Sequence, residues 1–296
     1  AFAQSSLPAN DTMVVTANRV EQPVSSVLAP VVVIDRAEIE SRQVSSLTDL
    51  LKTLPGVQIT TLGGRGHMSS LFIRGTNSNH SLVLMNGRPI AAMVAGTPDL
   101  SQIPLGNIER VEYIRGPRAA VYGSDAIGGV INLITKTSAK SGSETHLKGG
   151  AGSHGYGQGQ LRTVQALGQQ TDMNLLVGYE RTDGFDVVAG AQQPDRDGFD
   201  SLNGQVGMNH AFNDAWSADF NAQGYDNQTE MDDAYQSADQ SRVKAFQYDG
   251  GLKFQSETLT SRLEASYGEN KLKSWLESQG ESSAQPIHTG LTRFSW

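Results

Sequence analysis

Residues 109–135 read ERVEYIRGPRAAVYGSDAIGGVINLIT. The run opens by alternation, with Val111, Tyr113 and Arg115 on one side and Glu112 and Ile114 on the other, which is the period of a strand. Gly116-Pro117 breaks it, because proline fixes φ and has no N–H to give to a ladder. Arg118 to Tyr122 has room for one helical turn, which Gly123 can close in a left-handed conformation. Ser124-Asp125 and Gly128-Gly129 are turn chemistry, and Val130 to Thr135 is a short apolar strand. By local physics the stretch is a small αβ unit that would suit a strand–turn–strand piece of many α+β domains.

The residues before it carry the same signals. Val20 to Ile34 contains two prolines and ends in the apolar strand Val31 to Ile34, and Asp35 to Glu40 suits a helical turn. Ser46 is placed to cap a helix, with Asp49 three residues on. Leu47, Leu50, Leu51 and Leu54 then share one helical face until Pro55-Gly56 stops it. Val57 to Thr60 is a strand, Gly63 to Gly66 a flexible loop, and Leu71 to Arg74 a strand ending at Gly75. Leu82 to Met85 is another, closed by the hairpin signal Asn86-Gly87.

After Thr137 the character changes. Lys136 to Glu144 is rich in Ser, Lys and Gly and reads as a linker. Beyond it apolar and polar residues alternate between turns: Leu175, Val177 and Tyr179; Ala218, Phe220, Ala222 and Gly224 against Asp219, Asn221, Gln223 and Tyr225; Leu259, Leu263, Ala265 and Tyr267 against Thr260, Arg262, Glu264 and Ser266. This predicts an antiparallel sheet with one apolar and one polar face, as in a soluble sandwich or in membrane-spanning strands. Gly150 to Gly155 fits G-x-G-x-x-G, but no helical period follows it, so a dinucleotide site is set aside.

Composition narrows the classes. The net charge is −8 with no basic cluster, which argues against a nucleic-acid footprint. The absence of cysteine excludes disulfides, thiolate metal sites and thiol nucleophiles. No apolar run approaches the roughly 18–20 residues of a membrane helix, although barrel strands would also keep the mean hydropathy low. No nucleophile–base constellation is present, and no enzyme is predicted. Ala1-Phe2-Ala3 reads as the end of an export signal cleaved before Gln4, and Gln4 to Asn10 as a disordered terminus. The β-prone segment Asp11, Thr12, Met13, Val14, Val15, Thr16 and Ala17 then stands free, suited either to a sheet edge or to strand addition onto a partner's sheet.

The wording of several stretches is more specific than their physics. RGPRAAVYGSDAIGGVINLIT, SLTDLLKTLPGVQI, FIRG and LVLMNG resemble the plug signature of TonB-dependent outer-membrane receptors. The resemblance implies an α+β plug over residues 18–137, followed by antiparallel transmembrane β-barrel strands over 138–296. Residues 11–17 would be the Ton box that engages the inner-membrane protein TonB. These receptors close about 22 strands around the plug, whereas the residues after Glu144 supply roughly seven. The expectation is therefore an incomplete barrel, truncated within a strand near Trp296.

Within the family, DGFDVV, QQPDRDGF, GYDN and DDAY resemble the calcium-binding loops of cobalamin transporters. That resemblance implies Asp186, Gln193, Asp195, Asp197, Asp233 and Asp239 as ligands for one or two Ca2+, with Asp232 contributing its carbonyl. Without it, the acidic residues read rather as a solvated, acidic extracellular loop. It likewise implies Met68, Ser70, Asn77, Val94 and Ala95 as substrate contacts on the plug, small and neutral groups that suit a corrinoid better than an anionic ferric catecholate. Cobalamin, TonB, a periplasmic cobalamin-binding protein and outer-membrane lipid and lipopolysaccharide would be the partners. A ferric-siderophore receptor and a calcium-dependent surface adhesin are the alternatives. His67 and His80 are expected at the surface. Arg74 and Arg115, at the ends of plug strands, are expected to face carboxylates of the wall, with at least one lacking its partner in this chain.

Overall fold

The computed structural model describes residues 14–15, 22–23, 30–90, 98–116, 126–135, 142–187, 195–232 and 238–295. No helix is long and apolar enough to cross a membrane. Near the N-terminus β1 (Val14–Val15) pairs antiparallel with β2 (Gln22–Pro23). The plug follows: β3 (Val31–Asp35), α1 (Arg36–Ser41), α2 (Leu47–Lys52), β4 (Val57–Thr61), β5 (Ser69–Ile73), β6 (Ser81–Met85), β7 (Arg88–Pro89), β8 (Arg110–Arg115) and β9 (Gly129–Ile134). The helical turn expected at 118–122 lies outside the described residues.

Both helices start where a side chain answers a free N–H. Asp35 accepts from the Glu38 amide at 2.8 Å, and Ser46 Oγ from the Asp49 amide at 3.0 Å. Five strands form one sheet in the order β3-β8-β9-β6-β7, with β6 and β9 parallel and the other neighbours antiparallel. Alternation along β8 splits the core. Val111 and Tyr113 join Ile131, Leu133 and the helix residues Leu47, Leu50, Leu51 and Leu54 on one face, and Ile114 joins Leu82, Leu84 and Val130 on the other. Burying each of these leucines contributes about 1.5–3 kcal/mol. Glu112, fully buried, is answered by Arg110 at 2.7 Å and by Asn132 at 3.2 Å. A separate hairpin, β4 with β5, rises from the sheet to a tip at residues 62–68.

Residues 144–295 build the wall: β10 (Glu144–Ala151), β11 (Gly157–Leu167), β12 (Thr171–Thr182), β13 (Phe199–Ala211), β14 (Trp216–Glu230), β15 (Gln240–Gln255), β16 (Thr260–Trp275) and β17 (Ile287–Ser295). They form one antiparallel sheet in sequence order, with β10 and β17 at its ends and no closure between them among the described residues. The count is eight rather than the seven expected, because the turns at 168–170, 212–215 and 256–259 consume so few residues. The G-x-G-x-x-G run is the end of β10 and its turn into β11.

The two faces of this sheet differ in chemistry. One outward row runs Leu175, Val206, Ala222, Tyr248 and Tyr267 across five strands. An inward row runs Asn174, Gly207, Asn221, Asp249 and Ser266 in the adjacent register. The apolar residues are the exposed ones: Leu175 is 43 % accessible and Asn221 only 2 %. That inversion is what a strand wall with hydrocarbon outside and a covered polar lumen requires. Fourteen or more residues in β14, β15 and β16 exceed the ~9–11 that cross hydrocarbon, so these strands project beyond it. On the projecting part the outer face turns ionic: Arg242 and Lys244 hold Asp226 at 2.7 and 3.0 Å, and Arg242 and Lys273 hold Glu281 at 3.0 and 3.1 Å. At the opposite rim Trp216 and Phe254 pack at 5.0 Å, as interfacial aromatics do.

Candidate binding face at the plug apex

Short turns at one end and the long connections 183–198, 231–239 and 276–286 at the other set the direction of the wall, because outer-membrane strands keep short turns toward the periplasm. The plug hairpin tip at 62–68 lies among the long connections. Arg65 forms a fork on Glu180 of β12, Nε and Nη2 each 2.6 Å from a carboxylate oxygen, and its guanidinium stands 5.9 Å from the Phe199 ring centroid. Gly66 has φ +76°, and a Cβ there would fall 2.2 Å from the Phe199 ring. The tip therefore approaches the wall as closely as glycine permits. The Gly66 carbonyl accepts from Gln102 Nε2 at 2.5 Å, and Asn227 of β14 donates to the Gln102 carbonyl at 2.8 Å.

His67 corrects an expectation. It is buried, 7 % accessible, rather than at the surface, because its ring packs over Gly63. Burial lowers its pKa, opposed by the Glu230 carbonyl and by Asp232. His80 is half-buried beside the 3-10 turn Ser78–His80. Met68 and Ser70 flank Ser69 at the apical end of β5, and Met68 is exposed. Asn77 follows the opposite end of that strand, exposed, so topology separates it from the other two. Val94 and Ala95 lie outside the described residues.

Three carboxylates converge beside the tip. Oxygen atoms of Asp186, Asp197 and Asp232 all lie within 4.8 Å of one another. The approach depends on Gly184, at φ +66°, where a Cβ would sit 1.8 Å from the Asp197 carbonyl. Asp197 is 2 % accessible and accepts from the Val187 amide at 2.8 Å. Burial raises its pKa to about 6, reinforced by the charges of Asp232, Asp195 and Asp186 and opposed by the Val187 amide. Asp195 is pushed upward too, by burial and then by Asp232 and Glu230. An all-oxygen set crowded enough to resist ionisation fits a hard cation such as Ca2+, which takes 6–8 oxygens at 2.3–2.6 Å. Gln193 and Asp233 lie outside the described residues. Asp239 is not in the trio; its carboxylate accepts from the Glu277 amide at 2.6 Å and closes the next connection. Of the Asp11–Ala17 segment, only Val14 and Val15 are described, paired in β1.

Below the apex the plug is bonded to the wall at several levels. Gln205 donates to the Thr135 carbonyl at 2.5 Å, Arg162 pairs with Glu109, and Arg88, 6 % accessible, pairs with the fully buried Asp249 and lies 3.3 Å from Glu264. None of these links has a local sequence signal, since even Arg162 and Glu109 stand 53 positions apart and Arg88 and Asp249 161. Arg74 and Arg115 take no part in an ion pair among the described residues, and Arg115 Nε is buried with no hydrogen-bond partner there.

A wall of strands apolar outside and polar inside, holding an α+β domain against its lumen face, is the architecture of a plugged outer-membrane β-barrel. Residues 23–130 match the TonB-dependent Receptor Plug Domain, the domain that fills the barrel of TonB-dependent receptors. Solved structures of that kind share the fold. The ferric yersiniabactin uptake receptor of Yersinia pestis is 19% identical with a TM-score of 0.70, over 84% of this chain and 42% of that one. The siderophore receptor PirA of Acinetobacter baumannii is 20% identical at 0.71, over 92% and 45%. The ferric enterobactin receptor of Pseudomonas aeruginosa is 18% identical at 0.68, over 90% and 45%. The chain spans less than half the length of each of these receptors. Each is described as a siderophore receptor, and none of them supports the narrower resemblance to cobalamin transporters.

Proposed function

We propose that the chain is the plug and first wall section of an outer-membrane receptor that takes up a large metal chelate with force transmitted by TonB. The observation that carries this is the contact between plug and wall. The plug is hydrogen-bonded and ion-paired to the wall from Arg65 at the outer end to Thr135 and Arg88 deeper down, so in a closed barrel no solute would pass until the plug rearranges. Binding alone cannot sustain that work, and receptors of this family are transport proteins rather than enzymes. Ligand would settle on the apex and on the long connections. TonB would add to residues 11–17 as a strand, in competition with the internal β1–β2 pairing, and pull.

For the ligand, the ferric-siderophore reading has the support of the solved structures that share this fold. A second reading, cobalamin, is favoured by one observation: Asp186, Asp197 and Asp232 meet as calcium-ordered loops would need. The apical residues Met68 and Ser70 are neutral, and the apical cation Arg65 is already neutralised by Glu180, which suits an uncharged corrinoid. In that second reading Asp186, Asp197 and Asp232, with Asp195 beside them, would hold the cation. Its contribution would be to cancel their charge and draw the loops 183–198 and 231–239 together over the plug. Binding of cyanocobalamin and of ferric enterobactin, measured side by side with calcium and with excess chelator, separates the readings. Cobalamin binding lost in chelator supports the second; ferric enterobactin binding indifferent to chelator supports the first; binding of neither chelate contradicts both.

A further inference from the structure

A turn between the plug sheet and the wall gathers more hydrogen bonds than its length accounts for. Asp99 precedes the 3-10 turn Leu100–Gln102 and is half-buried. Its Oδ1 accepts from four donors: the Ser69 amide at 3.1 Å, the Ser69 hydroxyl at 2.8 Å, the Ser101 amide at 3.1 Å and the Ser101 hydroxyl at 2.8 Å. Two of those donors are local and would cap any short turn. The other two come from the first residue of β5, thirty positions away, directly between Met68 and Ser70. The last residue of the same turn holds the tip: Gln102 donates to the Gly66 carbonyl while Asn227 of β14 donates to Gln102 Oε1 at 3.0 Å. One four-residue segment thus reaches the hairpin tip from both sides and anchors it to the wall.

We propose that Asp99 is a positioning residue for ligand: it fixes the outer end of β5, so that Met68 and Ser70 are presented in one place rather than sampled over many. The proposal rests on the reading that ligand meets the plug apex. The cost of holding four donors on one oxygen is repaid at binding, because a surface already ordered loses less freedom when ligand arrives. The role needs an acceptor at Oδ1 and not a charge as such, so Asp99→Asn retains it and Asp99→Ala abolishes it.

The test uses the full receptor in detergent. Hydrogen–deuterium exchange reads the amides of Ser69 and Ser101, and cyanocobalamin and ferric enterobactin serve as binding probes. Asp99→Ala is expected to speed exchange at 62–70 and 98–102 while the remainder of the plug keeps its protection. It is also expected to weaken the probe that the parent binds by about tenfold, the equivalent of about one hydrogen bond. Asp99→Asn is expected to restore both. Unchanged exchange in Asp99→Ala overturns the proposal, as does faster exchange with unchanged binding, or an Asn variant as impaired as Ala. Should Asp99→Ala fail to fold, Ser69→Ala removes one long-range donor and must give the same local exchange signature in milder form. A parent that binds neither probe contradicts the reading of the ligand, whereas the exchange rates at Ser69 and Ser101 still decide the tie.

Discussion

Asp197 shows how much a single buried carboxylate can report. Its folded pKa of about 6 lies above the ordinary 3.8, so the folded protein holds that proton more tightly than the unfolded chain. Stability from this group therefore falls as pH rises from 3.8 toward 6, and the full cost is present above it. A cation takes the deprotonated form, so calcium affinity is expected to climb across the same window and level off above pH 6. Calorimetric titration at pH 5 and pH 7 reads this directly; equal affinities would remove Asp197 from the site. Asp197→Asn should raise the melting temperature at pH 7 without calcium and, if calcium binds as proposed, abolish any further rise on its addition. Arg88 is the converse case. Its removal as Arg88→Ala leaves Asp249 fully buried without its cation, a loss of about 3–5 kcal/mol, whereas Arg88→Met with Asp249→Leu should recover most of it in thermal melts. Local sequence physics marks neither residue: Asp197 is picked out only by the resemblance of QQPDRDGF to a calcium loop, and Arg88 by nothing. Ser46 and Asp49 are marked by it, because a cap and the amide it accepts from lie within one turn, while Arg65 and Glu180 are 115 positions apart and nothing local couples them.

At the scale of elements, the strands were legible wherever one face met lipid and the other the lumen, since that asymmetry writes period 2 into β12, β14 and β16. β10 was harder, because it is exposed along both faces in this chain and so alternates little. The expectation of a flexible loop at Gly63 to Gly66 follows from glycines at 63, 64 and 66, which usually mean freedom. Here they mean contact: each small residue lets His67, Phe185 or Phe199 close over the backbone. Gly66→Ala meets both a left-handed backbone and the Phe199 ring, so it is expected to displace the tip and weaken ligand binding by tenfold or so with the sheet core intact. Unaltered binding and unaltered protection of residues 62–68 from proteolysis would show the close approach to be dispensable.

For the whole molecule, length was the strongest constraint in the sequence. A closed barrel of eight strands is filled by its own side chains and leaves no room for a plug; the eight described strands form an open sheet with the plug resting on its polar face. The links between plug and wall escaped sequence reasoning for a physical reason. Beside the ion pairs, they are made by neutral amides such as Gln205, Gln223 and Asn227, which any hydrated surface also carries. Only the fold shows that they are covered. The same covered interface is why uptake would need force, and force would enter at residues 11–17. The most direct measurement is uptake and surface binding of labelled cyanocobalamin and ferric enterobactin in cells making the receptor with or without those seven residues. Removal of 11–17 is expected to leave binding of the recognised chelate intact and to abolish its uptake. Uptake that persists at the parental rate would contradict TonB-driven opening of the plug.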